Sequence, residues 1–189
     1  MRPAVAPRDV VPLRHLPTLD AILAAHATAL GDDFEGYRNH AYRVANLCAA
    51  QLRATGEEVE KVAVAAAFHD VGIWTEGTFD YLGPSVIRAQ KYLTDSGHAE
   101  WIAEISEMIL QHHKLFPYRG QRMTSLVEPF RRADWIDVSG GFLTFGLPRT
   151  LVRTVQSRWP SAGFHKRLVA LEFKRLRTHP WSPLPMVRL

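Results

Sequence analysis

The stretch AAAFHDVGIW, residues 65–74, places an imidazole and a carboxylate at the end of an apolar run. Apolar residues before this pair recur three and four positions apart, the spacing of one helix face, at Val59, Val62, Ala63 and Ala66. The same series reaches His69 and Asp70. Adjacent helix residues diverge by about 100°, so both side chains face one site only where the helix ends, and Gly72 predicts such an ending. The stretch therefore predicts a helix over about 57–71 that brings two polar groups to a buried place.

The rest of the chain predicts further amphipathic helices. Apolar periodicity, caps and helix-starting prolines predict them over about 18–30, 32–53, 84–94, 98–114, 129–139, 148–158 and 163–178. No segment predicts a strand or a repeat. The predicted organisation is an extended leader (1–17), one helical domain (18–180) with the core of the candidate site at about 34–145, and a Pro-rich tail (181–189). The fold class is all-α, a single-domain helical bundle.

Length and composition fit one globular domain. The chain has 189 residues, of which 47% are hydrophobic and 22% charged, enough to bury a sizeable core. The single cysteine, Cys48, excludes an internal disulfide. Neither an apolar run of membrane-spanning length nor a signal-type start is evident. These features predict a soluble cytoplasmic protein with no membrane partner.

The positive charge is concentrated at the C-terminal end. From Arg149 to Leu189 the only acid is Glu172. The basic residues there are Arg149, Arg153, Arg158, Lys166, Arg167, Lys174, Arg175, Arg177 and Arg188. Such a stretch either meets nucleic acid or another anion or forms a solvated helix face. We favour the solvated face, because aromatic residues do not alternate with the basic ones as a single-strand platform needs.

Metal-capable side chains lie on the apolar faces of four predicted helices. They are His40, His69, Asp70, His112 and Asp134. Each has a simpler explanation alone: a hydrogen-bonded core histidine, a histidine at a helix C-terminus, or Asp134 paired with Arg131 or Arg132. A buried ionised carboxylate is costly unless it is paired or metal-bound. A shared divalent cation, held by side chains from different helices of a bundle, accounts for the whole set.

The ordered set His, His-Asp, Asp resembles the HD-domain superfamily of metal-dependent phosphohydrolases. AAAFHDVGI is similar to the central motif of that family, and RRADWID (131–137) is similar to its last motif, Ala-Asp followed by a second acidic position. The resemblance covers about residues 20–145 and implies a bundle of the HD-domain type. The ligands it implies are His40, His69, Asp70 and Asp134. They suit one divalent transition metal, with Mn²⁺, Fe²⁺, Ni²⁺, Co²⁺ and Zn²⁺ all compatible.

Departures from the family pattern bear on metal number and substrate. Two-metal members place a further His soon after the central motif, where this chain reads DYLGPS (80–85), so we expect one metal. His98 follows a predicted surface turn and is not expected to be a ligand. Ile73 stands where deoxynucleotidases of the family carry Glu, which argues against transferring their substrate. TFDYLGPS (78–85) resembles a small bacterial branch and the branch containing cyanamide hydratase.

The resemblance implies hydrolysis of a phosphate ester by a metal-activated water. Asp70 is expected to orient that water, and Glu76 in the following loop is the candidate general acid or base. Candidates to hold a phosphate are His112, His113, Lys114 and Arg131. The predicted partner is a small phosphorylated molecule such as a nucleotide. The alternatives are a metal-dependent hydratase or lyase acting on a small neutral molecule, and a non-catalytic module that binds nucleic acid through the basic C-terminal helices.

Overall fold

The computed structural model describes residues 11–77, 80–119, 126–164 and 169, and these form helices joined by loops, with no strand among them. The all-α class is therefore confirmed. The α-helices are Pro17–Ala25 (α1), Ala27–Leu30 (α2), Phe34–Leu52 (α3), Glu57–Phe68 (α4), Gly72–Thr75 (α5), Leu82–Asp95 (α6), Ile102–Gln111 (α7), Val127–Val138 (α8) and Arg149–Arg158 (α9). Short 3₁₀ segments, Gly31–Asp33 and Ala99–Trp101, lead into α3 and α7.

Helix α3 is the centre of the bundle. It packs against α4 and α8, and it also contacts α1 and α9. Of its 19 residues, 14 are buried, so polar residues of this helix are forced into the core together with the apolar ones. Helix α4 contacts α1, α6 and α7 in turn, and its run of alanines lets these helices approach closely. No helix in the described ranges has the length and apolar character needed to cross a membrane.

The start of the bundle differs from the sequence prediction by one residue. Pro17 is the first residue of α1, and Thr18 does not cap the helix. The Thr18 hydroxyl donates to the Glu60 carboxylate instead, because proline already suits a first helical turn, where its missing N–H costs no hydrogen bond. The end of the leader is tied to α3 through Leu13, whose backbone N–H and C=O bond the Asn46 side chain. The predicted helix 163–178 and the Pro-rich tail lie almost wholly outside the described residues.

The predicted loop after the His-Asp pair contains a helical turn, α5, and α4 ends at Phe68, earlier than expected. Gly72 is the first residue of α5 and does not stop α4. A Cβ at Gly72 would lie 2.6 Å from the Tyr81 carbonyl oxygen and 2.9 Å from Ser85 Oγ. The Gly72 N–H also donates to that Ser85 hydroxyl. Glycine is required here because the start of α6 packs directly on the backbone.

Candidate metal centre

His69 and Asp70 reach one site because α4 ends beneath them. The His69 N–H still bonds the helix at Ala65, and the Asp70 N–H donates to the Tyr37 hydroxyl. That hydroxyl donates in turn to the Ala67 carbonyl, so Tyr37 of α3 holds the end of α4 in place. As a result His69 Nε2 lies 3.4 Å from Asp70 Oδ2. The two side chains therefore face one site at the end of α4.

Three buried histidines turn their Nε2 atoms to a common point because their Nδ1 atoms are engaged elsewhere. The Nδ1 partners are Asp137 Oδ2 for His40 (2.6 Å), the Ala66 carbonyl for His69 (2.8 Å) and the Ile109 carbonyl for His112 (2.6 Å). Carbonyl and carboxylate oxygens only accept hydrogen bonds, so Nδ1 carries the proton. In the neutral rings each Nε2 then presents a lone pair to the centre, which is the form that binds a metal.

The spacing of two of these nitrogens fits ligands on one ion. His40 Nε2 and His69 Nε2 lie 2.9 Å apart. Two nitrogens bound at right angles to a metal at about 2.1 Å are separated by about 3 Å. Burial favours the neutral form of both rings, but the Asp137 and Asp70 carboxylates raise the pKa of His40 to about 9. Burial lowers the pKa of His69 to about 3, so without a cation the two rings share one proton, which metal binding would displace.

The two carboxylates complete the donor set. Asp134 is fully buried, and neither of its oxygens has a hydrogen-bond partner in the described structure. Burial is the main cause that raises the pKa of Asp134 to about 7. Asp134 Oδ1 and Asp70 Oδ2 each lie 3.6 Å from His40 Nε2. An unpartnered buried carboxylate beside converging lone pairs lacks only a cation, so these residues fit a divalent metal ion.

His112 and His113 join the same cluster, which is larger than the four predicted ligands. His112 Nε2 lies 3.2 Å from Asp70 Oδ1, and His113 Nδ1 lies 3.6 Å from Asp134 Oδ2. The other ring nitrogen of His113 is 2.7 Å from the Tyr81 hydroxyl. Three overlapping groups have ligand atoms within 4.8 Å of one another: His40, His69 and Asp134; His69, Asp70 and His112; His112, His113 and Asp134. Both histidines predicted to hold phosphate are thus placed where they can also act as ligands.

The remaining predicted site residues are placed differently. Glu76 pairs with Arg88 at 2.7 Å and is about two-fifths exposed. Arg131 is buried, and its guanidinium binds Glu128 through two hydrogen bonds of 2.7 and 2.8 Å and donates to the Lys114 carbonyl. In the described ranges no hydrogen bond or ion pair links Glu76, Lys114 or Arg131 to the cluster. Arg131 instead joins α8 to Lys114, which follows α7.

His98, which was not expected to be a ligand, is half-exposed and stacks on Trp101 with ring centroids 4.1 Å apart. It lies outside the three groups of potential ligands.

Sequence reasoning missed the pair that orients His40. Asp137 accepts the His40 Nδ1 proton and is held from the other side by Nε and Nη2 of Arg43. These hydrogen bonds outweigh burial and keep the pKa of the Asp137 carboxyl below its usual range. Arg43 also donates to the Trp159 carbonyl, while the Phe164 ring stacks on His40 with centroids 4.2 Å apart.

A signal for part of this arrangement was present in the sequence. Arg43 follows His40 by three positions, and Asp137 follows Asp134 by three, so both lie on buried helix faces. A charged residue on such a face predicts a partner. No sequence signal identifies Phe164, which lies beyond α9.

Comparison with known proteins agrees with the geometry. A family model described as HD domain matches residues 37–139, just over half of the chain, and this segment contains every member of the cluster. Neither the curated proteins nor the solved structures contain a match to the chain. The ordered ligand candidates and the helical architecture agree with this match. The chain therefore belongs to the HD-domain superfamily of metal-dependent hydrolases.

Proposed function

We propose that this protein is a metal-dependent phosphohydrolase that acts on a nucleotide or another small phosphate ester. The observation that supports the proposal is the convergence of buried imidazole and carboxylate groups on one point. Its members are His40, His69, Asp70 and Asp134. A divalent cation held there would polarise a phosphoryl oxygen and lower the pKa of a water molecule toward neutrality.

Asp70 is the residue best placed to orient the attacking water. Its Oδ2 atom faces His40 and His69, at 3.6 and 3.4 Å, while Oδ1 faces His112 at 3.2 Å. One oxygen can therefore hold the cation while the other accepts a hydrogen bond from water. Hydrogen bonds and charges from the surrounding histidines outweigh burial and hold the pKa of Asp70 well below its usual range, so this group remains an acceptor.

The described ligand candidates are most open to solvent at His113. The His113 side chain is 18% exposed, whereas the other ligand candidates are exposed by 3% or less. Its contact with the Tyr81 hydroxyl fixes the ring at this opening. His113 is therefore the member of the cluster that a phosphoryl oxygen or a leaving group can approach from solvent. The site therefore suits a small substrate, or one that presents a terminal phosphate.

A specific observation favours the second candidate, hydration of a small neutral molecule such as a nitrile. Phosphate substrates call for free cations near the metal. Arg43 and Arg131 lie one helical turn from His40 and Asp134, but their guanidinium groups are bound to Asp137 and Glu128. Of the phosphate candidates that the structure describes, this leaves the partly exposed His113 and the half-buried Lys114.

The deciding experiment measures phosphate release from nucleoside mono- and triphosphates and small phosphate esters, with each of Mn²⁺, Fe²⁺, Co²⁺, Ni²⁺ and Zn²⁺. Asp70→Ala should lose activity by a factor of about 1,000 or more, because it removes both a ligand and the water acceptor. Asp95→Asn, on the exposed Lys91 pair, is the matched carboxylate control and should be unchanged.

A Glu76→Gln variant tests the general acid or base assigned to that loop, and a large loss of kcat there would establish the role. If metal-loaded protein released no phosphate from any of these substrates and formed urea from cyanamide, the phosphohydrolase proposal would be contradicted and hydration would be favoured.

A further inference from the structure

A cavity of about 270 Å³ lies between α9 and the connection that precedes it. Its polar lining comes from Arg149, Arg153 and Gln156, and its other wall includes Gly141 and Phe142. None of these residues belongs to the metal cluster. The cavity therefore lies outside the candidate active site, and what it binds is a separate question.

The cavity is positively charged, and its arginines have no ion-pair partner among the residues that the structure describes. Helix α9 buries Leu151, Val152 and Val155 against the bundle, which leaves Arg149 and Arg153 exposed one turn apart on the other face. Within the described ranges neither guanidinium takes part in an ion pair, and the sequence has no acid between Asp137 and Glu172. Two neighbouring like charges repel, and a bound anion between them removes the repulsion. Guanidinium groups in this arrangement match phosphate oxygens.

The backbone holds the cavity in shape. Gly141 has a φ of +80°, and a Cβ at this position would lie 3.0 Å from Gln156 Nε2 and from Val152 Cγ1. The segment that contains Gly141 therefore packs directly against α9. This contact keeps the Gln156 amide beside the two arginines. The amide N–H₂ adds uncharged donors to the same lining.

An aromatic surface borders the basic one. The Phe142 side chain lines the cavity and is 79% exposed, an unusual position for a large apolar ring. Basic groups that hold a phosphate beside an aromatic ring on which a base stacks are the means by which proteins hold nucleotides and single strands. The sequence pattern did not show this combination because Phe142 precedes Arg149 by seven positions, and only the turn before α9 brings them together.

We propose that the cavity lined by Arg149, Arg153, Gln156 and Phe142 is a nucleotide-phosphate site, independent of the metal centre. Its ligand is a phosphate group attached to a stacked base. The source is either a free nucleotide or one unit of a single-stranded nucleic acid. The site does not depend on the proposed hydrolase activity.

The test uses the full-length, metal-loaded protein with two probes. Fluorescein-labelled (dT)₁₂ is followed by anisotropy and AMP by calorimetry, and the AMP titrations are repeated in the Asp70→Ala background to remove the contribution of the proposed metal centre. Arg153→Ala should weaken binding of the probe at least tenfold. Arg158→Ala is the matched control, because it removes the same charge from an exposed position of the same helix without lining the cavity, and it should change binding less than threefold.

Two further measurements distinguish binding in the cavity from non-specific attraction to a basic surface. For (dT)₁₂, the slope of log K against log salt should become shallower by about 0.7 for each lost phosphate contact. Phe142→Ala should weaken binding about fivefold or more through lost stacking, whereas Phe116→Ala, which removes another exposed ring, should not.

The outcomes decide the source and the site. Binding of AMP that depends on Arg153 assigns a free nucleotide, and binding of (dT)₁₂ with the same dependence assigns a single strand. Equal losses in Arg153→Ala and Arg158→Ala, or no binding of either probe at low salt, would overturn the proposal.

Discussion

At the scale of residues, the metal centre is a set of buried polar groups whose charges balance only around a cation. His40 donates a hydrogen bond to Asp137, and Asp137 also accepts hydrogen bonds from Arg43. The negative charge of Asp137 is therefore balanced without a metal ion. Asp134 is not satisfied, since both of its oxygens lack a partner in the described structure. A native fold retains such a group where function requires it, because a buried carboxylate without hydrogen bonds is among the most costly features of a protein interior.

Asp134→Asn should therefore stabilise the metal-free protein while abolishing tight metal binding. The folded-state pKa of Asp134, about 7, exceeds the unfolded value of about 3.9. The folded state thus holds this proton more tightly, and stability is lost as pH rises from about 4 to 7. Asn remains neutral, so the variant should exceed the wild type by about 1–3 kcal/mol at pH 8 and show little advantage at pH 4.

Urea unfolding in the presence of a chelator at the two pH values measures this difference. A variant that is less stable than the wild type at pH 8 would show that Asp134 has a compensating partner in the absence of metal.

At the scale of elements, the His-Asp pair works because three backbone segments meet within hydrogen-bonding distance. The end of α4 is held by Tyr37 of α3, and the following turn lies against the start of α6 at Gly72. This close approach fixes the direction in which Asp70 leaves the backbone. The sequence prediction that Gly72 ends the helix was wrong, because α4 ends at Phe68 and glycine at this position leaves space for the Tyr81 carbonyl.

Gly72→Ala should destabilise the fold by about 1–3 kcal/mol, because its Cβ would overlap the Tyr81 carbonyl and force the start of α6 away from α5. Gly83→Ala is the matched control. It lies in α6 with no atom within 4 Å of the added Cβ, so it should be neutral or stabilising by about 0.5–1 kcal/mol. Thermal unfolding gives both values, and metal titration should show weaker binding only for Gly72→Ala. If Gly72→Ala and Gly83→Ala had the same stability and the same metal affinity, the proposed role of the close contact at Gly72 would be contradicted.

At the scale of the whole molecule, a cation in the centre would join helices that are distant in sequence. His40 comes from α3, the His69-Asp70 pair follows α4, His112 follows α7, and Asp134 lies in α8. An ion bound by these side chains has no comparable site in the unfolded chain, so its binding free energy adds to folding stability.

Metal at 100 times its Kd should therefore stabilise the protein by about 2.7 kcal/mol, which for a chain of this size raises Tm by about 5–10 °C. Differential scanning calorimetry with chelator and with each metal measures the shift. Asp70→Ala should show no shift under the same conditions. A wild-type Tm that is identical with and without metal would contradict a centre that bridges the helices.

Local sequence pattern was enough to predict much of this protein. The all-α class follows from apolar periodicity, and the ordered histidines and aspartates predicted a centre that the structure brings together. Helix ends were less accurate, as at Thr18 and Phe68, because caps and close contacts at helix ends depend on neighbouring helices. The Glu76 and Arg131 roles had no such support, since ion pairs with Arg88 and Glu128 engage those side chains.

The sequence by itself determined the helices, the family and the four principal ligand candidates, because these depend on spacing within one helix and on the order of motifs. Only the tertiary structure decided the histidine tautomers, the link from Arg43 through Asp137 to His40, and the inclusion of His113 in the cluster. It also decided that Phe142 borders a basic cavity. The physical reason is distance along the chain: His40 and Asp137 are 97 positions apart, and hydrogen bonding between such residues is set by how whole helices pack.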